Sequence, residues 1–146
     1  TYALHEGLLQ RYFAFGLHEN YNSRSIYEEM LGRPDRVGYA TYESMYVRGQ
    51  SRPDEEADRA LAFVRSGGFG LEIDLDCVEH MPSSALTPSG LSAAQTRVLA
   101  HTFATDSELR YVHLCEAAPR KGNDTEEIAV GKFITYLVSD VLRAAR

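Results

Sequence analysis

Two rhythms of apolar residues alternate along this chain. Short runs with apolar side chains at every second position, bounded by Gly, Pro, Asn or Asp, predict strands; apolar residues at every third or fourth position predict helices. Leu4 to Gln10 reads as the tail of a helix, and Tyr12-Phe13-Ala14-Phe15-Gly16-Leu17 as the first strand. A polar loop, His18 to Ser23, follows, and Ser23 or Asn22 can cap a helix from about Arg24 to Leu31 that ends at Gly32-Arg33-Pro34-Asp35. Arg36 to Tyr42 predicts a second strand. Pro53-Asp54-Glu55-Glu56 has the proline and acids of a helix start, with Ala57, Ala60, Leu61 and Val64 on one side. The third strand opens at Gly68-Phe69-Gly70 and runs through Leu71-Glu72-Ile73-Asp74-Leu75-Asp76. A long loop from Cys77 to Gly90, punctuated by Pro82 and Pro88, leads to a helix capped by Ser92 and reaching about Phe103. Arg110 to Cys115 predicts a fourth strand and Thr125 to Ala144 a terminal helix, introduced by Asn123-Asp124.

Strand and helix thus alternate four times, with connections too long for hairpins. That is the pattern of an α/β fold with a parallel sheet and helices on its faces. In such sheets the binding crevice lies outside the carboxyl ends of the strands. Four segments are therefore expected on one rim: His18 to Arg24, Tyr42 to Glu43, Asp74 to His80, and Glu116 to Arg120. Residues 1–146 are expected to form a single domain, without internal repeats.

Composition narrows the partners. A net charge of -6 and the lack of a basic cluster argue against nucleic acid and against an anionic membrane surface. No apolar run has the length of a transmembrane helix. Two cysteines, Cys77 and Cys115, point to a reducing compartment, with the cytoplasm as the default. The chain starts at Thr1, without methionine, and is expected to be a piece of something longer.

The third strand carries the chemistry. With alternating side chains, Leu71, Ile73 and Leu75 share one face while Glu72, Asp74 and Asp76 share the other. Next-but-one carboxylates lie roughly 7 Å apart on a strand. If that face is buried, the repulsion calls for protons, an arginine or a metal cation, and a hard divalent cation with oxygen ligands answers it most simply. Glu72 is expected to meet an arginine. Of the other candidates, His113 reads as a hydrogen-bonded core residue, His5 and His101 as helix-surface groups, and the two cysteines as small buried packers.

Taken in order, Phe15-Gly16-Leu17-His18-Glu19, Ala40-Thr41-Tyr42-Glu43, Ile73-Asp74-Leu75-Asp76, a loop with Pro82, Thr87-Pro88-Ser89-Gly90-Leu91-Ser92 and Leu114-Cys115-Glu116-Ala117-Ala118-Pro119 resemble the carboxyl-terminal half of the arginase, agmatinase and formimidoylglutamase family. The resemblance implies a three-layer arginase-like fold, present here in part, and a binuclear manganese centre in the intact protein. It implies that Asp74 is a carboxylate shared by both ions, that Asp76 is a ligand to one, and that Glu116 faces the cationic amidine or guanidine of a small-molecule substrate. These three are the expected catalytic residues. The family's two other metal-binding motifs, Gly-Gly-Asp-His and Asp-Ala-His-x-Asp, are absent, so this chain alone is expected to be inactive or to bind metal weakly.

Cys77-Val78-Glu79-His80 and His18-Glu19-Asn20-Tyr21 depart from the arginase-like pattern. They favour the formimidoylglutamase-like branch, whose substrate carries an extra carboxylate. His18, Arg24 and His80 are then the candidate substrate contacts beside Glu116, with Arg24 facing that carboxylate. The implied activity is hydrolysis of a C–N bond in a linear amidine, N-formimidoyl-L-glutamate before arginine or agmatine. A non-catalytic relative acting as a binding or assembly module is the alternative, and self-association as a homo-oligomer stays open.

Overall fold

Strand β1 spans Tyr12–Leu17 and pairs in parallel with β2, Val37–Thr41. Its alternation sorts the helices around it. Phe13 packs edge-on to Phe63 of helix α3, Pro53–Val64, which follows β2. Tyr12 and Ala14, on the other face, line an apolar pocket with Ile26 and Met30 of helix α2, Arg24–Leu31, which follows β1. Gly38 is required beside Phe13: a Cβ there would stand 2.6 Å from the ring. With its short opening helix α1, Tyr2–His5, this set makes up one compact unit of the computed structural model, Thr1–Ser66; the second is Gly67–Arg146, and residues 2–145 are described.

In the second unit β3, Phe69–Asp74, pairs in parallel with β4, Leu109–Cys115. Helices α4, Ala93–Ala104, and α5, Asp124–Ala144, and the loop after β3 supply the rest of its core. Ile73 and Leu75 join Val78, Met81, Ala100, Val130, Phe133 and Leu137, with Leu71, Val112 and Leu114 packed against them. The start of α4 is fixed by a capping box, in which the Ser92 hydroxyl accepts from the Gln95 amide and the Gln95 side chain accepts from the Ser92 amide. Arg97 of α4 clasps Asp140 of α5 through two hydrogen bonds of 2.6 and 3.1 Å.

Every predicted strand and the four long helices are present, and the departures have local causes. The opening helix stops at His5 because Gly7 turns left-handed at φ 73° and folds the Leu8 amide back onto the Ala3 carbonyl, 2.9 Å away. Ser23 precedes α2, but its hydroxyl pairs with that of Ser25 instead of capping the helix. A π-helix, Glu43–Val47, follows β2 where the sequence shows no periodicity to predict one. Strand β3 ends two residues early. The Asp74 carboxylate accepts the Asp76 amide at 2.8 Å and bends the chain into a 3-10 turn, Leu75–Cys77, so Asp76 does not continue the ladder.

Two side chains expected inside lie outside. His113 shares the open face of the β3–β4 pair with Glu72, because the core takes Val112 and Leu114, its neighbours in the alternation. Glu72 meets that histidine, not an arginine: His113 Nδ1 and Glu72 Oε2 are 3.1 Å apart. Cys77 and Cys115 are both free thiols and half-buried. Among the described residues, no helix is long and apolar enough to cross a membrane.

Candidate functional site

Functional candidates gather at the carboxyl ends of both strand pairs. In the second unit, β3 and β4 end side by side, with Asp74 registered against Cys115 and Glu116 the next residue along. Glu116 departs from ordinary backbone geometry at φ 64°, a left-handed conformation costly for a residue with a Cβ. The chain on both sides holds it there. Cys115 sits in the ladder, Ala117 bridges antiparallel to Ser83, and the Ala118 amide donates to the Pro82 carbonyl at 2.9 Å. The Glu116 side chain is exposed.

The two aspartates differ. Burial alone would raise the Asp76 carboxyl, but the hydrogen bonds of the Ser83-Ser84-Ala85 segment outweigh it and hold Asp76 below the usual carboxylate range. Ser84 Oγ donates to Oδ2 at 2.8 Å and the Ala85 amide to Oδ1 at 3.1 Å. Asp74 shifts the other way. Partial burial pushes its carboxyl up, and the charges of Asp76 and Glu72 add to that against the pull of the Asp76 amide. The expected buried row of three carboxylates is thus corrected: Glu72 and Asp74 share an open face, and Asp76 is turned toward its loop.

A hard divalent cation suits this donor set in kind. Carboxylate oxygens are its preferred ligands, and a positive charge would relieve the like-charge field that raises Asp74. In number the set is short, since two aspartates make up only part of a shell of about six. Beside them, the half-buried Cys77 has its thiol pushed up to about 12, by desolvation first and the Asp74 charge next, so it is no ready ligand.

In the first unit the ends of β1 and β2 carry a second cluster. Gly16, at φ 76°, forms a bulge that slips the register between Phe15 and Leu17, re-aiming the residues that follow. His18 then lies with Nδ1 3.1 Å from Glu43 Oε1, stacked on Tyr42 at 4.6 Å between ring centroids. The Glu19 amide donates to the other Glu43 oxygen at 3.0 Å, and the Glu19 carboxylate accepts from Thr41 Oγ1 and from the fork of Arg48. Glu43 is lowered overall: burial raises it, and the Glu19 and Glu43 amides with His18 prevail. Glu19 is lowered by hydrogen bonds from Arg48 and then Thr41.

Of the expected substrate contacts, His18 is therefore held in a network, with 15% of its side chain exposed. Arg24 is 92% exposed and ion-paired with Glu28 one turn along α2, so its guanidinium already has a carboxylate. His80 is an exposed loop residue at φ 58° whose amide donates to the Thr87 carbonyl. Sequence reasoning missed Glu19, Glu43 and Arg48 as a group. The signal for the two acids was present, since both follow strand ends expected on the same rim; nothing pointed to Arg48, which the π-helix Glu43–Val47 brings round.

No protein-family model matches the chain, and no curated protein matches it. Solved structures do. Formimidoylglutamase from Bacillus subtilis is matched over 99% of this chain and 46% of its own, with a TM-score of 0.76 and 15% identity. An arginase from Bacillus subtilis is matched over 89% of this chain and 44% of its own (TM-score 0.72, 13% identity). Helicobacter pylori arginase is matched over 88% and 42% (TM-score 0.68, 16% identity). At these identities the likeness is one of fold: the chain has part of an arginase-like α/β fold, as expected, and spans less than half the length of the solved proteins it matches.

Proposed function

We propose that this chain is the carboxyl-terminal part of a metal-dependent hydrolase that cleaves a C–N bond of a linear amidine. One observation carries the reading. In an arginase-like fold, two parallel strands end beside each other on carboxylates, with Asp74 closing β3 and Glu116 directly following β4 in a strained conformation. A strained residue held from both sides marks a position where the side chain's aim matters more than local comfort.

The chemistry follows from these groups. A pair of divalent ions such as Mn2+, when bound, supplies a water made nucleophilic near neutral pH. Asp74 and Asp76 would hold it, with the remaining ligands coming from outside this chain. The loop donors on Asp76 keep that carboxylate ionised and fixed in orientation. Glu116 offers two oxygens to the two N–H groups of an amidinium, a paired contact that sets the substrate's plane. N-formimidoyl-L-glutamate is preferred over arginine or agmatine because the segments after β1 and β3 depart from the arginase-like pattern.

The test is metal content and amidine hydrolysis in the intact protein from which this chain comes, with the three substrates assayed side by side and Asp74→Ala as control. Two manganese ions per protein, turnover of formimidoylglutamate above the others and loss in the variant are expected; this chain alone should be inactive. No metal and no turnover on any of the three would leave a non-catalytic module instead.

A further inference from the structure

Three ligand types other than Asp76 and Glu116 converge on the open face of the β3–β4 pair. Glu72 and His113 are directly registered across the ladder, and Cys115 lies two residues beyond His113, on the same face. One ligand atom from each lies within 4.8 Å of the others. The contact between Glu72 and His113 is already 3.1 Å, and the Cys115 thiol leans on the Ile73 carbonyl, 3.8 Å away. From these we infer a mononuclear site for a borderline-soft divalent cation, Zn2+ by preference, held by Glu72, His113 and Cys115.

The donor set decides the metal. Imidazole and thiolate select zinc over manganese or magnesium, which prefer all-oxygen shells. Bond lengths near 2.0–2.3 Å at tetrahedral angles put zinc ligands roughly 3.3–3.7 Å apart. The Glu72–His113 pair, at 3.1 Å, need open only by a few tenths of an ångström, and closing the widest gap takes about 1 Å of side-chain rotation. His113 and Glu72 are 57% and 62% exposed, so nothing packed against them resists. The metal replaces the thiol proton of Cys115, which leaves to solvent, and the proton shared between His113 Nδ1 and Glu72 moves through solvent to Nε2, freeing Nδ1 and the carboxylate as ligands. Three protein ligands leave a fourth position for water, so this is an open site, not a closed structural one. It would clamp β3 to β4 beside the rung that carries Asp74. The inference uses neither Asp76 nor Glu116 and stands without the hydrolase reading.

Titration of the 146-residue chain with CoCl2, followed by displacement with ZnCl2, tests it. One equivalent of Co2+ should give the near-ultraviolet charge-transfer band of thiolate ligation, which Zn2+ abolishes. Cys115→Ser should lose the band, while Cys77→Ser and Asp76→Asn keep it. His113→Gln and Glu72→Gln should each weaken Zn2+ binding by about tenfold or more, and far-ultraviolet circular dichroism shows that each variant is folded. Absence of the band in the folded chain, its survival in Cys115→Ser, its loss in Cys77→Ser or Asp76→Asn, or unchanged Zn2+ affinity in both exposed-ligand variants would overturn the assignment.

Discussion

Removing the Glu116 side chain altogether, by Glu116→Gly, should make this protein more stable. At φ 64° a residue with a Cβ is held in the left-handed region, which costs about 1–2 kcal/mol. Glycine escapes that penalty but gives back about 0.5–1 kcal/mol through the extra freedom of its unfolded chain. The balance is a gain of about 0.5–1 kcal/mol, or roughly 2–3 °C in Tm. Charge must be separated from strain, since Glu116 lies among Asp74, Asp76 and Glu72, whose fields all reach Cys115. Glu116→Gln does that by removing the charge while keeping the backbone burden, and should stay within about 0.5 kcal/mol of the parent. Glu116→Asn, a residue more tolerant of this conformation, should fall between the two. Urea unfolding reads all three, as a shift in midpoint at constant slope. If Glu116→Gly is no more stable than Glu116→Gln, the backbone there is not strained and the argument that Glu116 is held for its side chain fails. Under the proposed hydrolase reading, the glycine variant of the intact protein should trade this stability for lost amidine turnover.

Three further expectations rest on packing and charge. Leu137 is fully buried in the α5 core, and Leu137→Ala should cost about 3–5 kcal/mol in urea unfolding, a value under about 1 kcal/mol refuting its place there. Cys77, with its thiol near 12 against an ordinary 9.0, should be alkylated by iodoacetamide about a thousandfold more slowly than an unperturbed thiol. Peptide mass spectrometry should find Cys115 modified first; equal rates would contradict the burial of Cys77. Asp140 is lowered by the guanidinium of Arg97, so its contribution is complete above the unfolded carboxylate value and is lost as pH falls below it, through the lower folded value. Asp140→Asn should flatten the acid limb of stability measured from about pH 6 to pH 2, and an unchanged limb would show that the pair adds nothing.

The elements legible in the sequence were those whose signal is local. The alternation of Leu71, Ile73 and their neighbours survives in the structure because one face of β3 is packed on α4 and α5. Ser92 announced its helix because an N-cap is a local signal, and the structure adds Gln95 to complete a capping box within four residues. What was illegible depends on partners distant in sequence. The alternation of β4 set His113 apart from Val112 and Leu114 but could not say which face the core would take. The turn at Asp76 hangs on a single side-chain bond from Asp74, competing with a ladder that periodicity alone would continue. The Glu19–Arg48 pair spans 29 positions and needs the π-helix, for which apolar spacing has no signature.

The hold on Asp76 also bears on how freely its loop can drift. One of its two oxygens is satisfied by a hydroxyl, from Ser84, and the other by a main-chain amide, from Ala85. An amide is supplied by every residue except proline, which has none to give. Position 85 can therefore wander through nearly the whole alphabet without loosening the carboxylate, while position 84 is restricted to residues that carry a donor. A library randomised at both positions and selected for a folded, metal-competent protein should return broad variety at 85, empty only of proline, beside a narrow set at 84.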